Sequence, residues 1–89
     1  MKHSYLEVTF RHGRPLAAYY YLPRAPGDKS ARTRRIEPGM IVDFNEHGAP
    51  IGIEITAPTA LSLLDFNRVL LELGLAQVDR DDLAPLHAA

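Results

Sequence analysis

The stretch that decides the fold is Ile36-Glu-Pro-Gly-Met-Ile-Val-Asp-Phe-Asn-Glu-His-Gly-Ala-Pro-Ile-Gly-Ile-Glu-Ile55. Turn residues stand at 37–40 (Glu-Pro-Gly-Met) and at 45–48 (Asn-Glu-His-Gly). Pro38 presets φ and Gly39 accepts positive φ, so the first of these sequences predicts a type II turn. Gly48 stands where the second turn requires a left-handed residue. The stretch therefore predicts three short strands joined by two tight turns.

Apolar side chains alternate along the two strands that flank the second turn. We expect one set of them to point into the core: Met40, Val42, Phe44, Ile51, Ile53 and Ile55. The residues between them, which include Ile41, Asp43, Gly52 and Glu54, would then point outward. A period of two is typical of a strand with one buried face. These strands therefore predict a β-meander with one apolar and one polar face.

The same period predicts a hairpin near the N-terminus. Leu6, Val8 and Phe10 alternate with polar residues, as in a half-buried strand. His12 and Gly13 then supply a turn, because Gly13 accepts positive φ without steric cost.

The return strand of this hairpin, residues 16–22, is apolar on both of its faces. Tyr19 and Tyr21 lie on the outer face by alternation, while Ala18 and Tyr20 lie on the inner one. Either a second subunit covers the outer face, or the tyrosines keep their hydroxyl groups at the surface.

A basic segment follows this hairpin. Residues 23–30 have the composition of a loop, and a weak strand is predicted around 32–37. The candidate nucleic-acid contacts are its cations, Arg24, Lys29, Arg32, Arg34 and Arg35. Arginines near aromatic rings can bind phosphates and stack on bases. The alternative is an arginine-rich sheet edge, which discourages unwanted strand pairing.

The hydrophobic period changes after residue 56. From about residue 60 to residue 73, apolar side chains recur at helical spacing, and Gly74 is a natural stop. The apolar arc is wider than one small sheet face needs, which indicates self-association. The candidate interface residues are Tyr19, Tyr21, Phe66 and Leu70.

Length and charge set the domain organisation that we expect. The chain has 89 residues, enough for one domain, which we place at residues 1–75, with an acidic C-terminal tail at 76–89. Residues 1–42 carry eight Lys or Arg against three Asp or Glu, whereas residues 43–89 carry two against eight. This asymmetry suits a basic binding surface or contacts between subunits, unless the two halves intermix in space. Because domains of this size often lean on a partner, we expect a homodimer.

Composition disfavours several classes of function. The chain has no cysteine, which excludes disulfides and thiolate zinc sites and fits a reducing cytoplasm. The histidines, at positions 3, 12, 47 and 87, lack the spacing of a metal site. No apolar run approaches the roughly 18 residues of a membrane span, and the N-terminus lacks the run of a signal peptide. We therefore expect a cytoplasmic protein with no cofactor and no membrane partner.

Two carboxylates share the predicted outer face. Asp43 and Glu54 stand on neighbouring strands, and paired carboxylates can perform acid/base chemistry when burial separates their pKa values. The outer face is expected to be wet, however, and no histidine or lysine is aimed at the pair. We therefore interpret them as part of a solvated polar face and expect no catalytic residues and no enzyme.

The segment from Leu6 to Thr56 resembles the family catalogued as domain of unknown function 2283. The resemblance is carried by an early strand pair with tyrosines, by residues 37–44, by the glycine turn and by residues 52–55 (Gly-Ile-Glu-Ile). Residues 15–19 depart from it, since Pro-Leu-Ala-Ala-Tyr replaces the family's acidic opening. The resemblance implies an antiparallel sheet closed by a helix, with turn and strand determinants at Gly39, Asp43, Gly48, Gly52 and Glu54. Because some members are encoded beside small toxin-like proteins, it also implies an antitoxin-like binding role.

Taken together, these patterns predict an α+β domain: an antiparallel β-meander of four to five strands with one C-terminal helix packed on one face. The function that we expect is a non-enzymatic, homo-oligomeric protein-interaction module, and the family resemblance adds a small protein as a further partner. The alternative is nucleic-acid binding through the segment from Arg24 to Arg35.

Overall fold

A computed structural model describes residues 3–87 of the chain. Its strands are β1 (Tyr5–Arg11), β2 (Arg14–Tyr21), β3 (Arg32–Ile36), β4 (Met40–Phe44) and β5 (Pro50–Ile55). Its helices are α1 (Leu63–Glu72) and two 3-10 helices, Pro58–Ala60 and Arg80–His87. None of the described helices is long and apolar enough to cross a membrane.

The strands form one antiparallel sheet in the order β1-β2-β5-β4-β3. The predicted α+β fold is therefore confirmed, with one departure from a strict meander. The loop after β2 crosses the ends of β5 and β4, so that β2 pairs with β5 rather than with β3. Two backbone hydrogen bonds tie the ends of this loop down, from Leu22 N to Ile51 O (3.2 Å) and from Ala31 N to Phe44 O (2.8 Å).

Two of the predicted turns form as their residues indicate. His12 (φ 53°) and Gly13 (φ 76°) both have positive φ, the pattern of a type I′ hairpin turn. In the turn at 45–48, the side-chain oxygen of Asn45 accepts hydrogen bonds from the backbone N–H groups of His47 (2.9 Å) and Ala49 (3.0 Å). Gly48 takes the left-handed conformation there, with φ 83°.

The turn between β3 and β4 has the predicted place. Gly39 has the positive φ that was expected, 62°, and the Glu37–Pro38 peptide bond before it is cis. Proline is the residue that tolerates a cis peptide bond.

The alternation in residues 40–55 places most of the core as predicted. Phe44 is only partly buried against it, and Ile51 is buried but lies outside the core cluster. Met40 pairs with Ile55 and Val42 pairs with Ile53, and all four side chains are 0% exposed. Helix α1 covers this inner face of the sheet, where the Phe66 ring packs edge-on against the ring of Tyr20. Burying each such side chain stabilises the fold by about 1.5–3 kcal/mol.

Helix α1 is shorter at its start than predicted because Ser62 caps it. The Ser62 hydroxyl oxygen accepts from the backbone N–H of Asp65 (3.0 Å), while residues 58–60 form a separate 3-10 helix. At the other end Gly74 has φ 76°, and Leu75 N donates to Leu70 O (2.8 Å). This is the Schellman arrangement that a terminal glycine permits.

The segment predicted as an acidic tail is part of the packed unit, up to residue 87. Leu83 and Leu86, three residues apart on the 3-10 helix, are 1% and 0% exposed. The Asn67 side chain holds the segment in place: its amide oxygen accepts from Val78 N (2.8 Å) and its amide nitrogen donates to Val78 O (3.1 Å). The packing of these two leucines was not predicted because they stand among exposed acidic residues, which made the segment look like a solvated tail. Residues 88 and 89 of the predicted tail lie outside the described residues.

We predict that Asn67→Leu lowers the free energy of unfolding by about 1–3 kcal/mol, because the backbone N–H and C=O of Val78 lose their partners. Urea denaturation measures the change. Glu72→Leu, on the exposed side of the same helix, is the control and should change the stability by no more than about 0.5 kcal/mol. Equal effects of the two substitutions would contradict the role assigned to the Asn67 amide.

Candidate functional site

The side of the sheet away from α1, here called the outer face, is the surface that the described chain leaves open. Backbone pairing aligns its side chains in two rows across all five strands. One row is Tyr5, Tyr21, Gly52, Asp43 and Thr33, and the other is Glu7, Tyr19, Glu54, Ile41 and Arg35. The core cluster of the molecule lies on the opposite, inner face.

Three tyrosines form a cluster at the β1 end of the outer face. The rings of Tyr5 and Tyr21 stack with centroids 4.4 Å apart and an interplanar angle of 12°. The ring of Tyr19 meets Tyr21 at 4.7 Å and 64°, edge to face. Both geometries are favourable for aromatic pairs. The cluster is thus held by its own contacts while Tyr5 stays 46% exposed.

The Tyr19 ring crosses over strand β5 at Gly52. An added Cβ at position 52 would overlap the hydroxyl oxygen and Cζ of Tyr19, so the ring occupies the space of a side chain. From this position the Tyr19 hydroxyl donates a 2.6 Å hydrogen bond to Oδ2 of Asp43 on β4. Glycine at position 52 is therefore what lets a residue of β2 reach a residue of β4.

The electrostatics of the cluster keep its phenols protonated. Burial, and then the hydrogen bond and charge of Asp43, raise the pKa of Tyr19 to about 12, although Arg24 acts in the opposite direction. Burial and then Glu7 raise the pKa of Tyr21, whose hydroxyl donates to Oε1 of Glu7 at 3.2 Å. A protonated phenol is the donor that both hydrogen bonds need.

Arg24 belongs to this cluster rather than to a separate basic patch. Its Nη2 donates to the backbone oxygen of Ile51 at 2.5 Å. Its guanidinium carbon lies 5.5 Å from the centroid of the Tyr21 ring, within the range of a cation–π contact.

The other predicted nucleic-acid contacts are divided between the two faces. Arg32 and Arg34 lie on the inner side of edge strand β3, with guanidinium carbons 5.7 Å and 5.5 Å from the Phe44 ring centroid. Arg35 lies in the outer-face row, opposite Ile41, and Lys29 is exposed in the loop. The structure therefore brings Arg32 and Arg34 together and separates Arg24 and Arg35 from them.

The predicted interface residues have two different environments. Tyr19 and Tyr21 are half-buried on the outer face, as expected. Phe66 and Leu70, by contrast, are 0% and 1% exposed, so they are core residues and offer no surface to a partner. This corrects their assignment: the wide apolar arc of α1 contacts both the sheet and the C-terminal 3-10 helix.

The outer-face carboxylates do not form a shared pair. Asp43 is bonded to Tyr19, whereas Glu54 is exposed and stands in the other row. Among the described residues, no group of three or more His, Cys, Asp or Glu could hold a metal ion.

Sequence reasoning missed Tyr5, and it named Gly52 as a strand determinant without foreseeing its contact with Tyr19. Tyr5 precedes the alternating residues from which β1 was predicted, so nothing marked its place beside Tyr21. Gly52 did carry a signal, because a glycine inside a strand often marks close approach of another group.

We predict that Gly52→Ala lowers the free energy of unfolding by about 1–2 kcal/mol, because the added methyl group displaces the Tyr19 ring from Asp43. The same substitution made in a Tyr19→Ala background should cost at least about 1 kcal/mol less, as a double-mutant cycle by urea denaturation would show. In a Tyr5→Ala background, the control, Gly52→Ala should keep its full effect. An equal cost in both backgrounds would refute the crossing contact.

Comparison with known proteins gives one result. The family model described as "Protein of unknown function (DUF2283)" matches residues 17–57, a segment that runs from β2 to just past β5. It contains Tyr19, Asp43 and Gly52, and it excludes β1 and the helices. The searches of the curated proteins and of the solved structures found no match. The match over residues 17–57 confirms the resemblance to the DUF2283 family that the sequence indicated.

Proposed function

We propose that this protein is a non-enzymatic protein-interaction module that self-associates through the β1 side of its sheet. The observation that carries the proposal is the difference between the two sheet edges. Strand β3 presents Arg32, Arg34 and Arg35 in five residues, and charge of one sign on an edge discourages pairing. Strand β1 is seven residues long, five of them exposed, and within the described chain it pairs only with β2.

The tyrosine cluster adds a second reason to place the contact at β1. Tyr5 stands on the edge strand itself, and its ring is already stacked on Tyr21. Tyrosine is enriched in protein interfaces because its rigid ring gives a large contact area at a small cost in conformational entropy. A ring that is held before binding loses even less freedom when a partner arrives.

The chemistry of the outer face supports a non-enzymatic role. A general acid or base works best with a pKa near the operating pH, whereas the pKa of Tyr19 is raised to about 12. The hydroxyl group of Tyr19 is also committed to Asp43, which makes this bond a device that fixes the ring.

The lack of cysteine suits the cytoplasm, the compartment in which we propose that the module works. The family resemblance implies an antitoxin-like role, in which this protein binds a small protein partner. That partner would bind the outer face, which self-association leaves open.

We predict that the protein is dimeric at roughly 100 μM and that Phe10→Lys shifts it toward monomer, because a lysine on an edge strand opposes pairing. Phe10 is 48% exposed on β1, which makes the substitution compatible with folding. Light scattering coupled to size exclusion measures the mass of each variant.

Leu64→Lys is the matched control, since Leu64 is 80% exposed on α1, away from the sheet edge. It should leave the dimer intact. A parent protein that stays monomeric at this concentration, or equal effects of the two lysines, would overturn the proposal.

Nucleic-acid binding is the second candidate function, and one contact favours it. Arg32 and Arg34 both approach the ring of Phe44, which is itself only half-buried. An aromatic ring beside two guanidinium groups can stack on a base while the cations contact phosphates.

We predict for this candidate that a fluorescent single-stranded oligonucleotide binds at about 50 mM salt and is released near 200 mM, because counterions are displaced on binding. Fluorescence anisotropy should show binding abolished in the double variant Arg32→Gln, Arg34→Gln. The control double variant Arg11→Gln, Arg14→Gln changes two arginines of the opposite hairpin and should still bind. Failure of the parent protein to bind at low salt would end this candidate.

A further inference from the structure

Resting on the self-association proposed above, we propose that β1 pairs antiparallel with β1 of a second copy, centred on Thr9, so that Glu7 of each copy stands opposite Arg11 of the other. The two five-stranded sheets then become one continuous sheet. The two-fold axis passes between the Thr9 residues, and the same strand serves both copies, as an isologous interface requires.

The backbone of β1 is suited to this pairing. The register shift in the first hairpin falls between Thr9–Ala17 and Phe10–Pro15, which leaves Leu16 as the extra residue on β2. Strand β1 has no extra residue of its own, so its free edge runs without a bulge. Bulges are one of the devices that protect an edge, and this edge lacks it.

The backbone N–H and C=O groups that face the free edge belong to the residues that the proposed pairing needs. Arg11 and Arg14 flank a two-residue turn and so form a hydrogen-bonded pair. Because alternate residues of a strand turn N–H and C=O to opposite sides, Val8 and Phe10 present theirs to the free edge. Pairing centred on Thr9 sets Val8 of one copy against Phe10 of the other, which makes these the hydrogen-bonded pairs.

The side chains of residues 7–11, Glu-Val-Thr-Phe-Arg, are complementary to themselves when the strand is reversed. Glu7 meets Arg11, an acid against a base, on the outer face. Val8 meets Phe10 on the inner side, which covers part of a Phe10 side chain that is 48% exposed in the single chain. Thr9 meets Thr9, and threonine pairs are favourable across strands.

The pairing also brings negative charge to two arginines that face each other in the first hairpin. Arg11 and Arg14 are cross-strand neighbours, and like charges directly opposite each other are destabilising. Among the described residues, no ion pair is made by either of them. The Glu7 carboxylate of the second copy brings the missing negative charge to this position.

The affinity expected of such a contact is moderate. Two paired strands of seven residues bury on the order of several hundred Å2, less than the roughly 1,200 Å2 of a standard stable interface. We therefore expect a dissociation constant in the micromolar range, which fits the concentration chosen for the light-scattering measurement.

Cysteine cross-linking tests the register without interference, because the chain has no cysteine of its own. In a non-hydrogen-bonded antiparallel pair the Cα atoms are about 4.5 Å apart, within the range that a disulfide spans. Thr9→Cys should therefore oxidise to a disulfide-linked dimer at micromolar concentration. Val8→Cys is the control, because Val8 would face Val8 of the second copy only if the two-fold axis passed between the Val8 residues. It should cross-link at least tenfold more slowly than Thr9→Cys. Cross-linking at Val8 in preference to Thr9 would overturn the proposed register.

Charge reversal tests the pairing independently. Glu7→Arg and Arg11→Glu should each weaken the dimer roughly tenfold, since each places like charges at both symmetric contacts. The double variant should return to within about threefold of the parent. Urea denaturation of each variant checks that the single chain still folds. A dimer that ignores both single reversals would overturn the Glu7–Arg11 contact while leaving self-association intact, whereas a monomeric parent would remove both proposals.

Discussion

The pairing of β4 with β5 is the constraint on which the rest of the molecule depends. It sets Met40 opposite Ile55 and Val42 opposite Ile53, and none of these side chains is exposed. Because side chains alternate along a strand, a slip of one residue would move the whole set to the wet face. The inner face then determines where α1 packs, and α1 in turn supplies Asn67, which holds the C-terminal 3-10 helix over the remaining core. The outer face is what this arrangement leaves for contact with other molecules.

Gly52 allows the contact between Tyr19 and Asp43 on which the arrangement of the outer face depends. A side chain at this position would keep Tyr19 of β2 away from Asp43 of β4, whereas glycine leaves room for the Tyr19 ring and its hydrogen bond to Asp43. The same ring supports Tyr21, which stacks on Tyr5 at the sheet edge. A single residue without a side chain therefore links the centre of the sheet to the strand at which we place self-association.

The parts of the fold that could be predicted from the sequence are those encoded locally. Alternation placed the inner residues of β4 and β5, and Gly13 and Gly48 marked turns that need positive φ. The exchange of β3 and β5 in the sheet order could not be read from alternation, because a period of two shows which face is buried and not which strand is the neighbour. The C-terminal leucines were hidden for a related reason, since two apolar residues among acidic ones bury nothing until α1 is in place. At the candidate site, the tyrosines of β2 were identified, but Phe66 and Leu70 were assigned to a surface although both belong to the core.

The position of β2 next to β5 has a kinetic consequence. The hairpin of β1 and β2 and the unit of β3, β4 and β5 each consist of strands joined by short turns, so each can form from contacts close in the chain. They meet along one seam, where Ala18 pairs with Ile55 and Tyr20 with Ile53. Closing a long loop costs chain entropy before its contacts are made. We therefore expect the joining of the two halves along this seam to be the slow step of folding, because its contacts are the most distant along the chain.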